Sequence, residues 1–339
     1  MNNGLPVIDL GLLTQPDGLQ SVARDFRAAY SDIGFGAIIN HGISETLLAE
    51  LFDACRQFHA MPLQSKMKVA LNSAHRGYIP INTSTDVNSK LDDVKLPNQS
   101  ESFMIMREDS PDSLPVVSGA YLAGPNQWPE LAGFRETLTH ANSQFTAVAR
   151  QLLDVACVAL NIDPSRLHPA FAYPTTWLRL LHYPPRPHTS ASRSNTTSVN
   201  DGLYGSAPHT DFGCLTLLAQ DNVAGLQVQT DNGDWLSVEP DNKALVVNVG
   251  DMLHRWSNGI LKSTPHRVIN QSGRERYSCA FFFDPYVDTV IAPLDECITE
   301  TQMARFKAVH FGEFLQAELE AAYQQHQGDT PSATNRRSV

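Results

Sequence analysis

His209-Thr210-Asp211, with His266 following 55 positions after Asp211, offers two imidazoles and one carboxylate. That donor set holds non-haem Fe(II) and leaves coordination positions open for oxygen chemistry. On an extended segment, side chains two apart point to the same face, so His209 and Asp211 can reach one ion while Thr210 points away. His266 has to arrive from a distant strand. It lies in Ser263-Thr264-Pro265-His266-Arg267-Val268, a turn running into a β-branched stretch. A chain with 12 His and 36 Asp and Glu can produce an H-x-D triplet by chance, so the triplet needs support. His254 is the rival to His266 as second imidazole, with a surface or supporting role as its other reading.

The support comes ten residues after His266, in Arg276-Tyr277-Ser278, which runs into the strand-like Cys279-Ala280-Phe281-Phe282-Phe283. Arg276 and Ser278 share a face by the two-residue rule. A guanidinium beside a hydroxyl is a carboxylate anchor, because the guanidinium presents a rigid fork of donors. An inward Arg also needs an anionic partner, since a lone buried charge is costly. Upstream, Arg179, Leu181 and Tyr183 share one face of another strand, and His182 faces away from theirs. Arg179 either enters a pocket to bind an anionic substrate or co-substrate, or is a solvated or ion-paired residue. Gly250-Asp251 after an apolar run reads as turn chemistry. His41 reads as a structural hydrogen-bonding residue, and Cys214 and Cys279 as core thiols.

With these residues in view, the chain resembles the isopenicillin N synthase-like family of Fe(II)- and 2-oxoglutarate-dependent dioxygenases. The resemblance is carried by H-x-D…H…R-x-S and by landmarks in order along nearly the whole chain. These are residues 5–10, 34–43 (Gly34-Phe35 to Asn40-His41-Gly42), Arg76-Gly77-Tyr78, Glu101-Ser102-Phe103 and Gln127-Trp128-Pro129. His182-Tyr183-Pro184-Pro185, Gly225-Leu226-Gln227-Val228, Gly250-Asp251 and His266-Arg267-Val268 follow. The resemblance implies a double-stranded β-helix (jelly-roll) core, mainly β with flanking α, with an N-terminal helical region and a C-terminal helix. It implies His209, Asp211 and His266 as iron ligands, and 2-oxoglutarate as co-substrate held by Arg276, Ser278 and Tyr183. The implied reaction consumes O2, releases succinate and CO2, and oxidises an unactivated C–H bond by hydroxylation, desaturation or ring closure. Arg179, Phe103 and Phe283 are the candidate substrate contacts. The chain departs from many 2-oxoglutarate users at Leu181, where they carry an Asn. That departure leaves open an oxidase of the same fold that uses O2 without 2-oxoglutarate. A non-catalytic jelly-roll protein whose triad is inert or holds Zn is the third reading.

These residues need elements to position them. Residues 17–32 and 44–71 read as helices, the second with Ser44 as N-cap and apolar residues at i, i+3, i+4 spacing. Residues 79–100 read as a long polar loop, and 130–161 as the longest helix, with Pro129 at its start. From Trp177 the pattern becomes short strands with turn signals, as in a barrel or jelly roll. Residues 300–326 return to helix, and 327–339 read as a frayed tail. The expected division is 1–125, an N-terminal dioxygenase-type region; 126–174, a long helix on the core; 175–286, the jelly-roll core; and 287–339, helix and tail. Residues 186–202, rich in Ser, Thr and Asn, read either as a lid over the pocket or as a disordered insertion.

Bulk properties fit an enzyme of small molecules. The 339 residues allow one large barrel with a sizeable core. A net charge of −11 without a Lys/Arg cluster argues against nucleic-acid binding. Five scattered cysteines without a CxxC read as reduced thiols in the cytoplasm. No apolar run approaches a membrane span, and no secretory leader pattern precedes the first strand, so the expectation is a cytoplasmic protein without a membrane partner.

Overall fold

A computed structural model describes residues 4–84, 96–185 and 203–324. The proposed lid at 186–202, the tail at 327–339 and residues 85–95 of the polar loop lie outside the described residues. The strands are β1 (Val7–Asp9), β2 (Phe35–Ile39), β3 (Gly77–Ile79), β4 (Glu101–Met106), β5 (Thr175–Tyr183) and β6 (Ser206–His209). They continue with β7 (Leu215–Gln220), β8 (Leu226–Gln229), β9 (Trp235–Ser237), β10 (Leu245–Val249), β11 (His266–Val268) and β12 (Arg276–Asp284). The helices are α1 (Gly18–Asp32), α2 (Glu45–His59), α3 (Leu63–Lys66), α4 (Leu114–Val117), α5 (Phe134–Ala159), α6 (Asp251–Trp256) and α7 (Phe311–Gln324).

Two sheets face each other. The large one runs β1-β2-β10-β7-β12-β5-β4-β3, and the small one β6-β11-β8-β9. The N-terminal region supplies both margins of the large sheet, β1–β2 at one side and β3–β4 at the other. The alternation of side chains along β5 and β12 sorts residues between two cores. Outward-facing Cys279, Phe281 and Phe283 join a large apolar cluster with α1, α2 and α5. Phe281 stacks on Phe145 of α5, and Phe283 on Phe171. Inward-facing Leu181, Tyr183 and Ala280 join a smaller cluster with Val228 and Val268 of the other sheet. The site lies on this inner side.

Helix boundaries follow local chemistry. Ser44 caps α2, its hydroxyl accepting the Leu47 N–H at 3.1 Å, as its position predicts. The expected helix 44–71 is broken, because Pro62 cannot continue α2 and a separate turn begins after it. α5 begins after Gly133, in the left-handed region at φ +75°, rather than at Pro129. α7 begins only at Phe311, so residues 300–308 are loop and bridge instead of the expected helix. Among the described residues, no helix is long and apolar enough to cross a membrane.

Candidate metal centre and substrate cavity

β6 and β11 pair antiparallel with His209 opposite His266, and this register brings the two imidazoles together at a centroid distance of 4.3 Å. His209 Nδ1 faces the Ala207 carbonyl at 2.7 Å, and His266 Nδ1 faces the Thr264 carbonyl at 3.2 Å. A carbonyl only accepts, so each Nδ1 carries the proton and each Nε2 presents a lone pair. Both Nε2 atoms lie 3.8 Å from Asp211 Oδ1. Two donors each about 2.1 Å from one ion lie about 3–4 Å apart, so the spacing suits a shared metal.

The Asp211 carboxylate is oriented by residues that its own motif does not announce. Thr216 donates to Oδ2 at 2.5 Å and Asn248 at 2.7 Å, which leaves Oδ1 turned toward the imidazoles. Burial works to raise this carboxyl's pKa, but His266, His209 and the two hydrogen bonds outweigh it and hold it below the usual range. Asp251, expected as turn chemistry, opens α6 and ties both ligand-bearing segments. It accepts from Ser263 at 2.6 Å and from Thr210 at 3.3 Å. His254 bonds the Leu261 carbonyl, and His41 accepts the Ile43 N–H; neither joins the triad.

His59, Glu101 and His182 also bring metal-binding atoms close together. Their geometry is that of an ion network. Glu101 lies 2.8 Å from His182 Nδ1 and 2.7 Å from Lys66 Nζ, and it also accepts from Tyr78. A carboxylate already neutralised by an ammonium and hydrogen-bonded to the imidazole has no need of a cation. His182 faces away from the metal centre, as its alternation with Tyr183 predicts.

Arg276 and Ser278 point inward from β12, opposite Tyr183 and Leu181 of β5. The guanidinium lies over the Tyr183 ring at 4.7 Å. Its Nε donates to the Val223 carbonyl at 3.2 Å and its Nη2 to Gln220 at 3.0 Å. Nη1 of Arg276 and Oγ of Ser278 are buried and have no partner among the described residues. Side-chain donors left open in this way fit an incoming carboxylate. Gly225 permits the close approach of this Arg, since a Cβ there would come 3.1 Å from Arg276 Cδ.

A cavity of about 150 Å³ adjoins the triad, lined by His209 and Asp211 together with Arg179, Leu181, Trp177 and Phe282. Met104, Asp284, and Leu315 and Leu319 of α7 also reach it. Arg179 is held by a 2.9 Å bond from Nε to Ser102. Two expected substrate contacts are corrected. Phe103 and Phe283 are fully buried on the opposite face of the large sheet, Phe103 against Phe58 and Phe134, and Phe283 against Phe171. The strand alternation explains the correction. Ser278 faces inward, so Phe282 does too, and Phe283 cannot. On β4, Ser102 and Met104 take the inward positions, and Phe103 takes the outward one.

Residues 174–285 match the 2OG-Fe(II) oxygenase superfamily, and residues 5–131 match the N-terminal region of the non-haem dioxygenases in morphine synthesis. The 2-oxoglutarate-Fe(II) type oxidoreductase hxnY of Emericella nidulans is 33% identical over 94% of this chain and 90% of its own. The chain belongs to the 2OG-Fe(II) oxygenase superfamily. The 2-oxoglutarate-dependent dioxygenase citB of Monascus ruber is 36% identical over 86% of this chain and 88% of its own. A full-length Neurospora crassa protein, solved in complex with alpha-KG, superposes with a TM-score of 0.80 at 29% identity, over 94% of this chain and 96% of that one. The protein is therefore a jelly-roll oxidoreductase that uses Fe(II), 2-oxoglutarate and O2, a dioxygenase acting on a small molecule. The oxidase without 2-oxoglutarate, which Leu181 had left open, is not supported.

Proposed function

We propose that this dioxygenase oxidises an aliphatic C–H bond of a small molecule that carries an anionic group. In this reading His209, Asp211 and His266 hold the iron, Arg276 and Ser278 take the far carboxylate of 2-oxoglutarate, and Arg179 takes the substrate's anion. The observation that carries it is the pair of buried open donors, Arg276 Nη1 and Ser278 Oγ, on the same face of β12 as Phe282, which lines the cavity beside His209 and Asp211. Bound together, iron and 2-oxoglutarate supply the O2-derived oxidising power, with succinate and CO2 as co-products.

The chain's own residues position and exclude. Thr216 and Asn248 keep Oδ1 of Asp211 aimed at the ion. Ala207 and Thr264 carbonyls fix the imidazole tautomers. Trp177, Phe282, Leu315 and Leu319 keep the cavity apolar beside the ion and so limit water. Arg179, fixed by Ser102 and unpaired with any carboxylate among the described residues, supplies the charge for a carboxylate or similar anion.

Anaerobic titration of the Fe(II)-loaded protein with 2-oxoglutarate tests the assignment. A weak visible charge-transfer band is expected in the wild type, and it should be absent in His266→Ala. Oxygen-dependent succinate release should then rise with the right substrate. A band that persists in His266→Ala would refute the ligand assignment.

A further inference from the structure

The paired strands β5 and β12 form a ladder whose inward rungs are Tyr183/Arg276, Leu181/Ser278, Arg179/Ala280, Trp177/Phe282 and Thr175/Asp284. The first two rungs form the carboxylate cradle described above. From the last three, Arg179, Trp177, Phe282 and Asp284 line the substrate cavity, with the charged Arg179 and Asp284 at separate levels. Their rungs are four residues apart, about 13 Å along the strands. Arg179 leans further away from Asp284, because its Nε bonds Ser102, which pairs with Leu181.

Asp284 is only 4% exposed. Its Oδ1 accepts the Cys214 N–H at 2.7 Å and presses on the backbone of Gly213, where a Cβ would come within 1.8 Å of it. Among the described residues no Lys, Arg or His pairs with this carboxyl. Burial pushes its pKa up to about 7; Asp211 adds to the rise, and Cys214 and Trp177 only partly offset it. An Asn at this position would accept the Cys214 N–H without that penalty. A carboxyl kept in an apolar wall at such a cost gains most from a cation that arrives from the cavity.

We propose that Asp284 is a specificity-determining residue that receives a protonated nitrogen of the substrate, so that the substrate is a zwitterion spanning the cavity. Its carboxylate meets Arg179, its ammonium or guanidinium meets Asp284, and the apolar chain between them lies along Trp177 and Phe282. The proposal rests on the reading of Arg179 as the anion receptor. Allowing about 2.9 Å for each terminal contact, the 13 Å between rungs sets a chain of at least roughly 7 Å, about five or six bonds or more. This fits a basic or ω-amino acid.

The test uses the holoenzyme with Fe(II) and saturating 2-oxoglutarate under anaerobic conditions. Affinities for 6-aminohexanoate and hexanoate are measured by calorimetry and by perturbation of the visible band. Wild type should bind 6-aminohexanoate at least about 10-fold more tightly than hexanoate. Asp284→Asn should erase that preference and leave hexanoate affinity within about twofold. Asp284→Ser, which shortens and neutralises the side chain, should do the same, with the Tm of each variant as the control for folding. Arg179→Met should weaken both probes. Equal affinities in the wild type, no binding of 6-aminohexanoate at millimolar concentration, or a preference that survives both Asp284 variants would overturn the proposal. If Arg179→Met leaves both affinities unchanged, the anion reading fails instead, whatever Asp284 does.

Discussion

Ser278→Ala should stabilise the protein and weaken its co-substrate binding, two effects of opposite sign from one oxygen atom. The Ser278 hydroxyl is 1% exposed and has no partner among the described residues. A buried hydroxyl without a partner costs about 1–3 kcal/mol, so deleting it should stabilise the metal-free protein by about 1 kcal/mol. Unfolding entropy of about 2.1 cal/mol/K per residue, over 339 residues, turns that gain into a Tm rise of about 1–2 °C. Against this, a hydrogen bond to a carboxylate contributes about 1.5–3 kcal/mol, so 2-oxoglutarate affinity should fall about 10- to 150-fold. Differential scanning calorimetry of the metal-free protein gives the first number. Anaerobic titration of the visible band gives the second. A lower Tm would mean that the hydroxyl serves the fold, and an affinity within twofold of wild type would mean that it never meets the carboxylate. Either result refutes the reasoning.

Arg276→Lys should also lose 2-oxoglutarate affinity, by about 10-fold or more, because one ammonium cannot reproduce the fork that engages Val223, Gln220 and the ligand together; retained affinity in the same titration would refute the fork. Asn248→Ala, which releases Asp211 Oδ2, should weaken Fe(II) binding about 10- to 100-fold in competition with a chelator. Glu101→Gln should cost about 3–5 kcal/mol, since it leaves the Lys66 ammonium buried without its counter-charge. The pH profile of Tm carries a sign as well. Glu101 is held below the usual carboxylate range despite its burial, so its contribution is present above pH ~4.3 and drains as pH falls through its folded value. His182 is raised, with Glu101 and Glu275 outweighing its burial, so its contribution is full below pH ~6.5 and is lost as pH rises through its folded value. Wild type minus Glu101→Gln should therefore peak between those limits, and a flat difference would show that the network is not ionic.

The candidate metal centre was legible because its signal is local. Two-residue spacing on an extended chain puts His209 and Asp211 on one face, and the same spacing puts Arg276 beside Ser278. His266 was legible only through its surrounding segment, since pairing with His209 depends on strand register. Phe283 and Phe103 were misread for a different reason. Aromatic character marks a residue as buried, but the face is set by alternation counted from a neighbour of known direction. Counting from Ser278 would have selected Phe282.

Thr216, Asn248 and Asp284 carry no motif that spacing alone exposes. They matter because β7, β10 and the end of β12 bring them to Asp211 and the cavity wall. Leu315 and Leu319 reach the cavity from a helix more than a hundred residues beyond the H-x-D motif. The network of His59, Glu101, His182 and Lys66 joins two helices and two strands, α2, α3, β4 and β5, and the cost of burying its charges is met only when all of them arrive.

The sequence by itself therefore determined the donor set, the carboxylate anchor and the alternating strands that present them, because each depends on neighbours within a few residues. Tertiary structure decided which face each strand turns to the metal, which distant side chains orient Asp211, and which charges border the substrate. Those outcomes depend on strand register and on the low polarity between two packed sheets, where a hydrogen bond or an unpaired charge carries a free energy that no local pattern encodes.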